Sequence, residues 1–280
     1  MKYVTYRIGD QSHPGVLDAE SIRRIACSSM RDYIALPIAE RESRMTTEAI
    51  PLASVTLDAP VLPQRNVFCV GRNYLEHAKE GARAAGRELK LPDVPTFFTK
   101  APTAIAAPGA TLHLQSRLSS EYDFEAELAV VIGERCRDLT IEDAPGVIFG
   151  YTCLNDVTAR DRQRAHIQWF KGKSFDDTCP VGPWIVSADE IPDPQSLSIR
   201  FRLNGVEKQS STTAQMIFPI TRILAELSAG MTLLPGDIIA TGTPDGVGFA
   251  RVPPEFLRDG DRMDVEIERI GTLHNTVALS

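Results

Sequence analysis

The chain has 280 residues, 43% hydrophobic and 24% charged, a composition that suits a globular protein with a large core, built as one big domain or as a main domain with a smaller one. Thirty basic residues against thirty-seven acidic ones give a net charge of −7, which argues against a general nucleic-acid surface but leaves room for a locally positive site that takes a small anion. The five cysteines (Cys27, Cys69, Cys136, Cys153 and Cys179) are odd in number and widely spaced, no Cys-x-x-Cys occurs, and neither an apolar signal core nor a membrane-length apolar run is found, so a reducing cytoplasm is expected.

Residues 1–62 read as a small N-terminal domain. Residues 3–8 alternate as a short strand, 19–26 and 31–42 read as helices, and 55–61 as another strand. Pro51, Pro60 and Pro63 mark the join. His13 reads as a surface loop residue. Residues 66–70 form a short buried strand that ends at Gly71. Residues 72–80 have helical composition, with Asn73 placed as N-cap. His77 and Glu80 stand three apart and so share a helix face. A carboxylate beside an imidazole orients it and raises its basicity, which suits a general base; a surface ion pair is the plainer alternative. Residues 81–95 carry Gly81, Gly86, Pro92 and Pro95 among several charges and read as a lid or loop.

Residues 96–100 form a strand, after which Pro102, Pro108 and Gly109 punctuate a turn-rich stretch. Residues 122–133 read Tyr-Asp-Phe-Glu-Ala-Glu-Leu-Ala-Val-Val-Ile-Gly, strand material closed by a glycine. Alternation places Phe124, Ala126, Leu128, Val130 and Ile132 on one side. Asp123, Glu125, Glu127, Ala129 and Val131 fall on the other. Glu125 and Glu127 thus point the same way, about 7 Å apart. At the head of so apolar a run, two such carboxylates need water or a cation between them. A hard divalent cation such as Mg²⁺ would resolve the conflict. Solvated charges on the wet face of a half-exposed strand are the alternative.

A Pro-containing short helix at 141–146 leads to a second apolar strand, 147–154, which ends at Asn155-Asp156. Asp156 is a carboxylate at a strand end, or the N-cap of a helix over 157–164. Arg160, Arg162 and Arg164 read as a solvated or salt-bridged face. Trp169 and Phe170 line an apolar pocket or pack in the core, and His166 reads as a surface residue. Lys171-Gly172-Lys173 is a glycine-containing turn. Residues 197–203 and 206–211 form a hairpin around Asn204-Gly205. Residues 215–229 are the clearest helix. A buried strand over 237–241 runs into Gly242-Thr243-Pro244-Asp245-Gly246-Val247-Gly248, whose three glycines let backbone N–H groups approach an anion closely. Residues 263–270 and 272–278 form a closing hairpin that turns at Gly271.

Taken together, five motifs resemble the fumarylacetoacetate hydrolase family. They are Gly71-Arg72-Asn73-Tyr74 with His77; Glu125-x-Glu127; Asn155-Asp156 with Arg160-Asp161 and Gln163; Lys173-Ser174-Phe175; and Gly242-Thr243-Pro244-x-Gly246-Val247-Gly248. They stand in the family's order across roughly residues 63–280. The resemblance implies an α+β, mostly β, catalytic domain over 63–280, a mixed β-sandwich roll, usually in a homodimer. The domain over 1–62 resembles the small extra α/β domain of many bacterial members. It implies Mg²⁺ or Mn²⁺ held by Glu125, Glu127 and Asp156, and a lid over 72–91 that carries His77 and Glu80 as a water-activating dyad. Lys173, Gln163 and the Thr243 loop would meet a small anionic 2-oxo acid, with Arg72 and Tyr74 also among the substrate-binding residues. The reaction implied first is hydrolysis of a C–C bond in an acylpyruvate, in which a fragment leaves as an enolate stabilised by the metal. The same site in the same family also serves decarboxylation of oxaloacetate-like acids and double-bond or keto–enol isomerisation. A catalytically silent binding module would have lost one of the carboxylates, His77 or Lys173, and all are present.

Overall fold

The structure is a computed structural model that describes residues 1–84, 86 and 88–280. The expected lid over 72–91 therefore includes two residues, Ala85 and Arg87, that lie outside the described ones.

The strand that carries the two glutamates sits at the centre of the molecule. It spans Ala126–Ile132, and every residue in it is buried. It pairs antiparallel with Ile148–Asn155 on one side and with Ile238–Ala240 on the other. The alternation decides which core each side chain enters. Ala126, Leu128, Val130 and Ile132 join the larger apolar cluster, with Phe201, Val265 and Leu273. Ala129 and Val131 join a second cluster on the opposite face, with Val67, Leu154, Val181 and Ile238. The strand is thus covered on both faces, so the wet face expected as an alternative for the glutamates does not exist. The expected unbroken strand over 122–133 is interrupted at Phe124 and Glu125. Tyr122–Asp123 pairs with Thr158–Ala159 instead, and the Glu125 N–H is taken by Asn155 Oδ1 at 3.0 Å.

Outward from this centre the sheet has twelve strands. On one side Ile238–Ala240 pairs parallel with Val67–Gly71, which pairs with the edge strand Thr96–Lys100. On the other side Ile148–Asn155 pairs with Cys179–Ser187, and that strand takes Lys2–Ile8. Gln11–Asp18, Ser21–Ile25 and Met45–Pro51 continue the sheet to its far edge. A five-stranded sheet runs in the order Val206–Thr212, Ser198–Leu203, Arg262–Ile267, Gly271–Leu279, Thr111–Leu114. Its inner face packs on the larger cluster, together with the helix Ile220–Ser228. The architecture is α+β, mostly β, with parallel and antiparallel pairs mixed. Among the described residues no helix is long and apolar enough to cross a membrane.

Several local expectations are corrected. Residues 19–26 form no helix: Ser21–Ile25 is a strand, paired through a tight turn with Gln11–Asp18. Ile22 and Ile25, three apart, are both buried because alternation sends them to opposite faces of the sheet, Ile22 to the core with Leu17 and Ile25 to the core with Val16. The helix over 31–42 is split into Met30–Ile34 and Ile38–Arg41 by Pro37. The helix over 215–229 starts only at Ile220, because Pro219 caps it. The turn at 171–173 is helical, Phe170–Lys173. The helix over 157–164 begins at Arg160, after the short strand Thr158–Ala159. Asp156 and Asn73 are not N-caps. Asn73 Nδ2 donates to the Thr241 and Phe218 carbonyls at 2.8 and 3.1 Å, and its Oδ1 accepts from the Phe218 N–H. It pins the helix Leu75–Ala84 to the end of the strand Ile238–Ala240.

Candidate active site

The end of the central strand, the end of its neighbour, the edge strand Thr96–Lys100 and one short helix bring three carboxylates and two ammonium groups to one buried point. Glu125, Glu127 and Asp156 offer oxygen atoms that all lie within 4.8 Å of one another. Asp156 reaches them because its N–H donates to the Glu125 carbonyl at 2.8 Å, which closes the strand pair. Lys173 Nζ donates to Glu125 Oε2 at 2.6 Å and to Asp156 Oδ2 at 2.7 Å. Lys100 Nζ, fully buried, donates to Asp156 Oδ1 at 2.7 Å and to the Val157 carbonyl at 3.1 Å.

Arg160 completes the charge set. Of the two expected alternatives, a solvated or a salt-bridged face, the structure shows the second, and Arg160 is buried. Its Nη2 donates to Glu125 Oε1 at 2.6 Å and its Nε to Asp123 Oδ2 at 2.8 Å. Four buried carboxylates (Asp123, Glu125, Glu127, Asp156) thus face three buried cations (Lys100, Arg160, Lys173), which leaves one negative charge in excess. Burial alone would push Glu125 up, but Lys173, Arg160 and His77 hold its carboxyl well below the usual carboxylate range. The excess falls on Glu127, which burial, then Asp156 and Glu125, push well above that range. Burial works against the charge of Lys173, yet Asp156 and Glu125 keep it more basic than an ordinary lysine.

These residues fit a hard divalent cation. The donor set is all oxygen, and a dication would turn the excess negative charge into a positive one, ready for an anionic ligand. The Tyr74 hydroxyl adds to the fit: it is buried, feels the Glu127 charge and has no hydrogen-bond partner among the described residues.

The glycine loop 242–248 does approach anions, but they are the chain's own carboxylates. The Gly242 N–H donates to Glu127 Oε2 at 2.6 Å, Gly246 to Glu80 Oε2 at 3.0 Å, and Gly248 to Asp123 Oδ1 at 2.7 Å. Gly246 has φ +98°, and a Cβ there would lie 2.1 Å from the Lys208 carbonyl. A Cβ at Gly248 would lie 1.9 Å from the Glu255 carbonyl.

His77 and Glu80 lie on one face of Leu75–Ala84, with Nδ1 2.9 Å from Glu80 Oε1. A carboxylate only accepts, so Nδ1 carries the proton and Nε2 is left as the basic nitrogen. Thr243 is buried, and its Oγ1 accepts from Gln209 Nε2 at 2.8 Å. Gln163 is half-buried, and its Oε1 accepts from Arg160 Nη1 at 3.2 Å. Arg72 stands apart from the cluster: it is exposed and stacks over the Trp169 ring at 5.6 Å. Trp169 packs so closely on Gly71 that a Cβ there would sit 2.3 Å from the ring. Phe170 is half-exposed.

The model of the family described as fumarylacetoacetate (FAA) hydrolase C-terminal matches residues 66–278. The chain belongs to this family. It is 46% identical over 227 residues to the oxaloacetate tautomerase YisK of Bacillus subtilis, covering 81% of this chain and 74% of the relative. It superposes on a fumarylacetoacetate hydrolase from Exiguobacterium antarcticum with a TM-score of 0.87, at 41% identity and over 100% of both chains. It also matches a 2-hydroxyhepta-2,4-diene-1,7-dioate isomerase from Mycobacterium marinum, TM-score 0.83, at 37% identity over 100% of this chain and 99% of that one.

Four groups of this family member's site escaped the sequence reading: Lys100, Arg160 as a buried cation, Asp123 as an anchor, and Gln209. Lys100 carried little signal: it closes the edge strand Thr-Phe-Phe-Thr-Lys and is the one buried residue in it. Gln209 carried none.

Proposed function

We propose that this enzyme interconverts the keto and enol forms of oxaloacetate or a closely similar 2-oxo dicarboxylate. The observation that carries the reading is the His77–Glu80 pair, fixed as a proton-transfer dyad by the same loop that holds Glu127. The similarity to an oxaloacetate tautomerase at 46% identity supports this reaction among those the family performs.

Tautomerisation moves one proton from the C2 hydroxyl and places one on C3, and no bond between carbons breaks. His77 Nε2 is the group that gives or takes the C3 proton. Glu80 accepts from Nδ1 throughout and stabilises the imidazolium in between. Because Gly246 occupies its second oxygen, Glu80 cannot turn away. Lys173 spends two of its three N–H bonds on Glu125 and Asp156 and keeps one for the oxygen that carries enolate charge. A divalent cation held by Glu125, Glu127 and Asp156, Mg²⁺ or Mn²⁺, would supply Lewis acidity to the 2-oxo acid end. The walls of the cluster are buried, so water does not compete for these contacts.

The second reading is C–C hydrolysis of an acylpyruvate, favoured by the same dyad, since a free Nε2 can also deprotonate water. The likeness to a fumarylacetoacetate hydrolase supports it. A substrate panel separates the two. Metal-stripped protein, reloaded with Mg²⁺ or Mn²⁺, is offered enol oxaloacetate, acetylpyruvate and fumarylpyruvate. Metal-dependent loss of enol absorbance without release of CO₂ or pyruvate supports tautomerisation. Release of pyruvate from an acylpyruvate with no effect on the enol overturns it in favour of hydrolysis, and CO₂ release from oxaloacetate in favour of decarboxylation.

A further inference from the structure

Strand Val206–Thr212 lies at the edge of the five-stranded sheet, and Gln209 is its one buried residue. A polar side chain in that position needs a reason. The register slips between Phe201 and Arg202, opposite Gln209 and Glu207, so that Lys208 is the extra residue of a bulge. The bulge places the Lys208 carbonyl against the glycine loop, where it accepts from Arg251 Nη2 at 2.6 Å. Gln209 itself points inward because it pairs with the buried Phe201.

The Gln209 amide is fully used, and its orientation is dictated by partners of fixed polarity. The Ala126 N–H, between the two glutamates, can only donate, so it meets Oε1, at 3.0 Å. The Pro244 carbonyl can only accept, so it meets Nε2, at 2.8 Å. The second Nε2 proton then points at Thr243 Oγ1, also at 2.8 Å. Thr243 must therefore act as acceptor toward Gln209. Its own hydroxyl proton finds no acceptor among the described residues and is left for a ligand.

We infer that Gln209 is a positioning residue: it makes Thr243 an obligate hydrogen-bond donor, so the site selects an oxyanion, such as a substrate carboxylate, at this point. The inference rests on the 2-oxo acid reading above and extends it from the loop to the far sheet.

The test uses Mg²⁺-loaded protein and oxalate, a non-reacting 2-oxo acid mimic, with binding read by calorimetry over about pH 7–9.5, so that an introduced glutamate, whose pKa burial beside the cluster raises, is followed into its ionised form. Thr243→Val should weaken oxalate binding about tenfold or more, the loss of one charge-assisted hydrogen bond. Gln209→Glu keeps the Ala126 contact but turns the Thr243 proton away from the site, and should weaken binding to a similar degree. Gln209→Met loses the Ala126 contact yet leaves Thr243 free to donate, so it should bind oxalate better than Gln209→Glu. Gln209→Glu should cost clearly less in the Thr243→Val background than in the wild type, while Thr243→Ser should restore binding. With substrate, the Gln209→Glu defect should fall on KM rather than on kcat.

A merely structural glutamine predicts the reverse order, with Gln209→Met the worse variant, and additive losses in the double variant. Either result overturns the inference. If the tautomerase reading fails, wild-type turnover of the enol is missing while the order of oxalate affinities stands. If this inference fails, turnover stands and the order breaks.

Discussion

Lys100→Met tests the charge balance of the site. The lysine and Asp156 are both fully buried, with Nζ 2.7 Å from Oδ1. Methionine has similar length and fills the apolar part of the space. What it removes is one of three cations facing four carboxylates. Deleting one partner of a buried ion pair costs about 3–5 kcal/mol, because the remaining charge has no water to turn to. In a chain of this size about 1 kcal/mol shifts the midpoint by about 2–4 °C. The metal-stripped variant should therefore melt about 6–20 °C below the wild type. Mg²⁺ or Mn²⁺ should narrow that gap, since a dication among Glu125, Glu127 and Asp156 restores positive charge beside Asp156. Thermal unfolding followed by circular dichroism, with and without metal, reads both quantities. An equal drop in the two states, or a drop worth under about 1 kcal/mol, would refute the balance and reduce Lys100 to packing.

Further predictions concern the proton, the loop and the dyad. Glu127 holds its proton above the ordinary carboxylate range, so a metal must displace it: affinity for Mn²⁺ should rise with pH, with proton release measurable by calorimetry in two buffers. A carboxyl raised by folding lends stability below its unfolded pKa, and this is lost as pH rises through the folded value. The stripped protein should thus lose midpoint as pH rises past the carboxylate range, and metal should restore more of it at higher pH. Gly246→Ala combines φ +98° with a Cβ 2.1 Å from a carbonyl, and should cost over about 2 kcal/mol and loosen Glu80. Gly205→Ala, at φ +79° with open space around it, should cost only about 1 kcal/mol in the same unfolding assay. Glu80→Gln should lower kcat about 100-fold by leaving the imidazolium unsupported; an unchanged kcat would remove the dyad from the chemistry.

What could be read from the sequence was whatever depends on local period. The central strand was legible because alternation has a period of two, and the same rule set Glu125 and Glu127 side by side. His77 and Glu80 were legible because three residues make most of a helical turn. The partners were not. Lys100, Arg160 and Gln209 come from three other elements, and only the tertiary fold brings them to the glutamates. Strand Cys179–Ser187 was hidden by Pro180, Gly182 and Pro183, whose turn chemistry masks a strand that a register slip accommodates. Ser21–Ile25 was misread because Ile22 and Ile25 are buried in cores on opposite faces of the sheet, which imitates helical spacing. The glycine loop was read correctly as a set of donors, but nothing local could show that its anions are the site's own carboxylates.

The account stands or falls on proton transfer by His77 beside the carboxylate cluster. The direct measurement is the rate of enol oxaloacetate loss by Mg²⁺-loaded wild type and His77→Ala, with oxalate binding as the check on an intact site. Wild type should speed ketonisation above buffer, and His77→Ala should lose the acceleration while still binding oxalate. Equal rates in the two proteins would contradict it.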